Sequence, residues 1–100
     1  MPFWVYMLRC HDGSYYTGHT DDLEHRMGQH GSGELGGYTA TRHPVQLVFT
    51  QECANREEAL SAERRIKGWS RKKKEAMIRG DWPEVSALAK KDFGKRKHQE

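Results

Sequence analysis

Hydrophobic and polar positions change period several times along this chain, and each change marks an element. Residues 3–9 (Phe3-Trp4-Val5-Tyr6-Met7-Leu8-Arg9) are almost continuously apolar and aromatic. That pattern predicts a strand buried on both faces, hence central in its sheet. Asp12-Gly13 is a turn signal, and Ser14-Tyr15-Tyr16-Thr17-Gly18 reads as a second strand closing a hairpin. Thr20 followed by Asp21 and Asp22 predicts a helix start with Thr20 as its N-cap. The helix runs to about His30 and sets Leu23, Arg26, Met27 and His30 on one face. Gly31, Gly33, Gly36 and Gly37 predict a mobile loop. After Pro44, Val45, Leu47 and Phe49 alternate with Gln46, Val48 and Thr50, a third strand. Asn55 with Glu58 makes a capping box for a second helix, whose buried face carries Ala59, Ala62, Glu63 and Ile66. Gly68 ends it. Ser70 caps a third helix, Arg71 to Arg79, with Gly80 as its C-cap. Asp81-Trp82-Pro83 breaks the chain. Val85, Leu88 and Ala89 make one last amphipathic turn or two, and residues 90–100 have the composition of a disordered tail.

The predicted order is β-β-α-β-α-α. It gives an α+β fold, a small three-stranded antiparallel sheet flanked by helices. Residues 1–82 form the domain, and residues 83–100 are a helical turn and a basic tail.

Composition narrows the function classes. The chain has 100 residues and a formal net charge of +3, enough for one small domain. No apolar run reaches the roughly 18 residues of a membrane span. Nothing reads as a signal peptide, and a cytoplasmic location is expected. Cys10 and Cys53 stand alone as small buried hydrophobes in a reducing compartment, and no Cys-x-x-Cys or His-x-x-x-His spacing suggests zinc. The small net charge hides an asymmetry. Only Arg9, Arg26, Arg42 and Arg56 are basic before Glu63, whereas every lysine lies at or after Lys67. A split of this kind points to an anionic partner, nucleic acid before membrane, or to a solvated helix face with a basic tail. The glycine-rich stretch lacks the Gly-Lys-Ser/Thr ending of a nucleotide-binding loop.

Tyr6, Tyr16, Arg26, His30 and Glu63 do not fit a plain core-and-surface reading. Taken singly, each has a structural role open to it. The tyrosines pack in a sheet, Arg26 pairs with Asp22, His30 suits a helix C-terminus, and Glu63 pairs with Lys67. Taken together, the hairpin tripeptides Val5-Tyr6-Met7 and Tyr16-Thr17-Gly18, then Arg26 and His30, resemble the GIY-YIG nuclease superfamily. The stretch Glu63-Arg64-Arg65-Ile66-Lys67-Gly68-Trp69-Ser70-Arg71 is similar to its small single-domain bacterial branch. The resemblance covers about residues 3–80. Val5, Met7 and Thr17 depart from the family's tripeptides. After Asn55 the chain has no asparagine, whereas many members carry one late in the domain.

The resemblance implies a metal-dependent endonuclease that hydrolyses phosphodiester bonds with one divalent ion, Mg2+ or Mn2+, in DNA repair or nucleic-acid turnover. DNA is the expected partner ahead of RNA. It implies Tyr6 as general base, with nearby positive charge lowering its pKa, and His30 as its proton relay. Tyr16 would orient water and phosphate, Arg26 would neutralise the phosphoryl oxygens, and Glu63 would hold the metal. Lys67, Arg71, Lys72, Lys73 and Lys74 form the expected phosphate-contacting patch. The other outcome is a catalytically weak GIY-YIG module that binds nucleic acid. A shared site requires Tyr6 and Tyr16 on one face of the sheet. A two-residue turn would put them on opposite faces. A three-residue loop, His11-Asp12-Gly13 with Cys10 opposite Ser14 and Gly13 left-handed, puts them on the same one.

Overall fold

The computed structural model describes residues 2–34 and 36–89, so the expected tail at 90–100 lies outside the described residues. The chain divides after Lys67 into two compact units.

The first unit is built on a sheet of order β2-β1-β3, with β1 (Phe3–Arg9) central and β2 (Tyr15–Thr20) and β3 (Gln46–Cys53) antiparallel on either side. Central placement explains the continuous apolar run: Val5, Tyr6, Met7 and Leu8 are all buried. The hairpin has the expected odd loop. Arg9 pairs with Tyr15, the Cys10 amide donates to the Ser14 carbonyl at 2.8 Å, and Gly13 has φ 84°. Tyr6 lies opposite Gly18 and Leu8 opposite Tyr16, so the two tyrosines share a face.

β3 differs from the simple alternation expected. Met7 pairs with Phe49 but Leu8 pairs with Leu47, a register shift that inserts one extra residue into β3. A bulge reverses the parity beyond it, so Leu47 and Phe49 lie on opposite faces and Leu47 is 41% exposed.

Helix α1 (Leu23–Ser32) is capped by Asp22 rather than Thr20. The Asp22 carboxylate accepts from the His25 amide at 3.1 Å, and the Thr20 hydroxyl accepts from the Asp22 amide. The helix continues two residues past His30 and ends on Gly33 in the left-handed region, φ 76°. The glycine-rich stretch is therefore not an open loop. It supplies the last turn of α1, its cap, and a one-turn helix α2 (Gly37–Ala40). Helix α3 (Arg56–Lys67) starts as expected, with the Asn55 side chain accepting from the Glu58 amide at 2.9 Å. Ala59, Ala62 and Ile66 are buried, and α3 packs across β2 and β1. Cys10 and Cys53 are buried free thiols.

In the second unit Ser70 caps α4 (Arg71–Ile78) by accepting from the Lys73 amide, and Gly80 follows with φ 75°. Asp81 does not break the chain. Its carboxylate accepts from the Glu84 amide and opens a helix over 82–89, with Pro83 in the first turn, where no amide partner is missed. No described helix is long and apolar enough to cross a membrane.

Candidate active site

Four elements of the first unit supply the candidate residues around the two tyrosines, which share one face of the sheet. β1 supplies Tyr6, β2 supplies Tyr16 and His19, α1 supplies Arg26 and His30, and α3 brings Glu63. The Tyr6 and Tyr16 ring centroids are 6.3 Å apart, and His30 meets both edge-on at 5.7 and 5.2 Å. The Tyr6 hydroxyl is 2.8 Å from His30 Nε2. Gly18 makes this packing possible. A Cβ at that position would lie 2.6 Å from the Tyr6 hydroxyl oxygen, so any side chain there forces Tyr6 to shift.

The electrostatics correct one expectation. Burial pushes the Tyr6 phenol up from its ordinary value, and the neighbouring Tyr16 and Glu63 push the same way. The positive charge of Arg26 pulls it down, but burial wins. Tyr6 rests as the neutral phenol, not as a tyrosinate prepared by positive charge. Burial also lowers the His30 pKa, with Arg26 and His43 adding to the effect. His30 is therefore neutral near pH 7 and free to take a proton. Two neutral groups joined by a short hydrogen bond make a proton path rather than a fixed charge.

Glu63 is largely buried, its side chain 12% exposed. One carboxylate oxygen lies 2.8 Å from His19 Nδ1 and the other 3.2 Å from Lys67 Nζ. The expected Lys67 pairing is present, and His19 is an additional partner. His19 lies in β2, next to its last residue. Nothing in the sequence links positions 44 residues apart.

Among the described residues no group of three His, Cys, Asp or Glu side chains could hold a metal ion. The available donor is the Glu63 carboxylate, whose charge acts on Tyr6. That set does not suit zinc, which takes three or four protein ligands. It fits a hydrated hard cation such as Mg2+ or Mn2+, which binds through one or two carboxylates and keeps water or phosphate oxygens elsewhere.

The basic residues of the second unit are not equivalent. Arg71 pairs with Glu75 at 3.4 Å, and Lys72 is exposed. Lys73 is buried with its ammonium 4.1 Å from the Trp69 ring centroid, a cation–π contact that turns its charge inward. Lys74 is half-buried, and that burial, with Arg71 nearby, lowers its pKa.

Two residues absent from the sequence reading complete the site. Thr39 of α2 is buried with its hydroxyl 2.8 Å from His30 Nδ1, and Tyr38 stacks on Tyr16 at 6.2 Å.

Comparison with known proteins bears on this arrangement. The family profile described as the GIY-YIG catalytic domain matches residues 2–76. A UPF0213 protein of Bacillus pumilus is 44% identical over 75 residues, covering 75% of this chain and 76% of that protein. The solution structure of the UPF0213 protein BH0048 from Bacillus halodurans is 44% identical, with a TM-score of 0.52 over 78% of this chain and 83% of that one. The solution structure of the protein EF2693 from E. faecalis is 36% identical, with a TM-score of 0.56 over 80% and 85%.

Proposed function

This chain belongs to the GIY-YIG family, and from that premise we propose that it is a metal-dependent endonuclease hydrolysing phosphodiester bonds in DNA, in repair or nucleic-acid turnover. The observation that carries the reading is the Tyr6–His30 hydrogen bond, with the charges of Arg26 and Glu63 acting on the same phenol. A proton acceptor, a cation for phosphoryl oxygens and a lone carboxylate are the parts such a hydrolysis needs.

The chemistry follows from the resting states. A water molecule beside Tyr6 gives its proton to the phenol oxygen as the phenol proton passes to His30 Nε2. The resulting hydroxide oxygen bonds to phosphorus. The opposite phosphorus–oxygen bond breaks, and the leaving oxygen takes a proton from solvent. Arg26 neutralises charge on the non-bridging oxygens, its planar fork matching phosphate. Tyr16 helps to orient the water and the phosphate. Glu63 would hold the divalent ion, which when bound polarises the phosphate and offsets charge on the leaving oxygen. Lys67, Arg71, Lys72 and Lys74 supply sequence-independent attraction to the backbone, while the Lys73 charge is held over Trp69.

The test is a cleavage panel with Mg2+ and with Mn2+ on single-stranded, nicked, flapped and branched DNA and on RNA, with Glu63→Ala as control. Cleavage by the wild type that disappears in the control supports the reading. Binding without cleavage across the panel replaces it with a nucleic-acid-binding module.

A further inference from the structure

Neutral histidine carries one N–H, so its two ring nitrogens need one acceptor and one donor around them. Both nitrogens of His30 are engaged, Nε2 with Tyr6 and Nδ1 with Thr39, each at 2.8 Å in a buried setting. A hydroxyl can donate or accept, so neither contact alone selects the tautomer. The acidity of the two hydroxyls selects it. A phenol, with a pKa of about 10, is a stronger donor and a weaker acceptor than an aliphatic hydroxyl, so the Tyr6 proton points at Nε2. The His30 proton must then sit on Nδ1 and needs an acceptor, which is the Thr39 hydroxyl.

We propose that Thr39 is a positioning residue that holds His30 as the Nδ1–H tautomer, leaving the Nε2 lone pair facing the Tyr6 hydroxyl. The surrounding structure is built to deliver it. The Arg42 amide donates to the Thr39 carbonyl at 3.1 Å, and the Arg42 guanidinium donates to the Tyr38 carbonyl at 2.8 Å. The same guanidinium donates to the Asp12 carboxylate at 3.1 Å and lies 3.8 Å over the Tyr38 ring. Arg42 thereby ties α2 to the β1–β2 hairpin loop, and Tyr38 rests on Tyr16. Without the Thr39 oxygen, the buried Nδ1–H loses its partner and the tautomer with Nε2–H gains ground. That tautomer cannot take the phenol proton. When His30 does take it, the Thr39 oxygen still accepts from the second N–H of the imidazolium.

The catalytic consequence rests on the nuclease reading; the tautomer does not. In protein labelled with 15N-histidine, one- and two-bond 1H–15N correlations report which ring nitrogen of His30 carries the proton. The wild type should show it on Nδ1. Thr39→Val should shift the population toward Nε2–H, Thr39→Ser should keep the wild-type pattern, and Thr39→Ala replaces the valine variant if that fails to fold. A wild-type proton on Nε2, or a pattern unmoved by removal of the hydroxyl, overturns the proposal. In the cleavage assay, Thr39→Val should lower kcat on the order of 10²-fold with KM little changed, restored by Thr39→Ser. If the tautomer behaves as stated and the wild type cleaves nothing, the positioning role stands and the nuclease reading fails.

Discussion

Gly18 faces Tyr6 across the ladder, and the absence of its side chain is what admits the phenol to the His30 hydrogen bond. Gly18→Ala forces a methyl group against the Tyr6 hydroxyl and its ring carbon, within 2.6 and 2.8 Å. Tyr6 is buried in the central strand and has little room to yield. The substitution should cost about 1–3 kcal/mol, the usual range for overpacking, measurable as a lower urea midpoint with unchanged slope. The ring–ring contacts of Tyr6 with His30 should be weakened in NOE spectra. His30 gives a second prediction at this scale. Burial, Arg26 and His43 hold its folded pKa below the unfolded value of about 6.5. Between those two values the unfolded chain binds more protons, so stability falls as pH falls. The contribution is intact above about pH 6.5 and is lost as pH drops through the folded value. Thermal midpoints of the wild type should decline below that point more steeply than those of His30→Gln. Parallel curves for the two proteins would show that His30 is not the titrating group.

At the scale of elements, what the sequence made legible was whatever depends on local rules. The hairpin could be derived because strand parity and loop length are linked arithmetic, and Cys10 opposite Ser14 follows from putting both tyrosines on one face. The start of α3 was legible because Asn55 and Glu58 satisfy amides within one turn. Elements held by distant partners were not. Helix α2 has two glycines at its start and only one turn of its own, so its pattern is that of a loop. Contacts from Arg42 to Asp12, 30 residues away, define it instead. The β3 bulge is equally silent, because parity on one strand does not reveal an inserted residue on its neighbour. In the candidate site, Tyr6, Tyr16 and His30 were named from the sequence and pack against one another, with the charges of Arg26 and Glu63 acting on Tyr6, while Thr39 and His19 required the tertiary structure. The α3 cap offers a clean test. Asn55→Ala removes the acceptor for the Glu58 amide at an exposed position, far along the helix from Glu63. It should cost about 1 kcal/mol in chemical denaturation. Divalent-ion affinity measured on the folded protein should stay unchanged, since the carboxylate keeps its His19 contact.

At the scale of the whole molecule the governing fact is the distribution of charge along the chain. A formal +3 would attract nucleic acid weakly if spread evenly, but every lysine falls at or after Lys67. Phosphate contacts release counterions, so each one adds roughly 0.9 to the slope of log K against log salt on duplex DNA. Side chains in solvent can make such contacts, and side chains with their charge spent inside the protein cannot. Lys72 is exposed, whereas the Lys73 ammonium sits over Trp69. The two neighbours should therefore behave differently. Lys72→Glu should weaken DNA binding on every sequence alike and flatten the salt dependence by about one phosphate contact. Lys73→Met should leave that slope in place and act on folding, through loss of the cation–π contact, by about 0.5–2 kcal/mol. Fluorescence anisotropy titrations from low to physiological salt, paired with urea unfolding of both variants, separate the two effects. Equal loss of slope in both would mean that Lys73 leaves Trp69 to meet the phosphates. Neither variant changing the slope would move the grip away from this helix altogether.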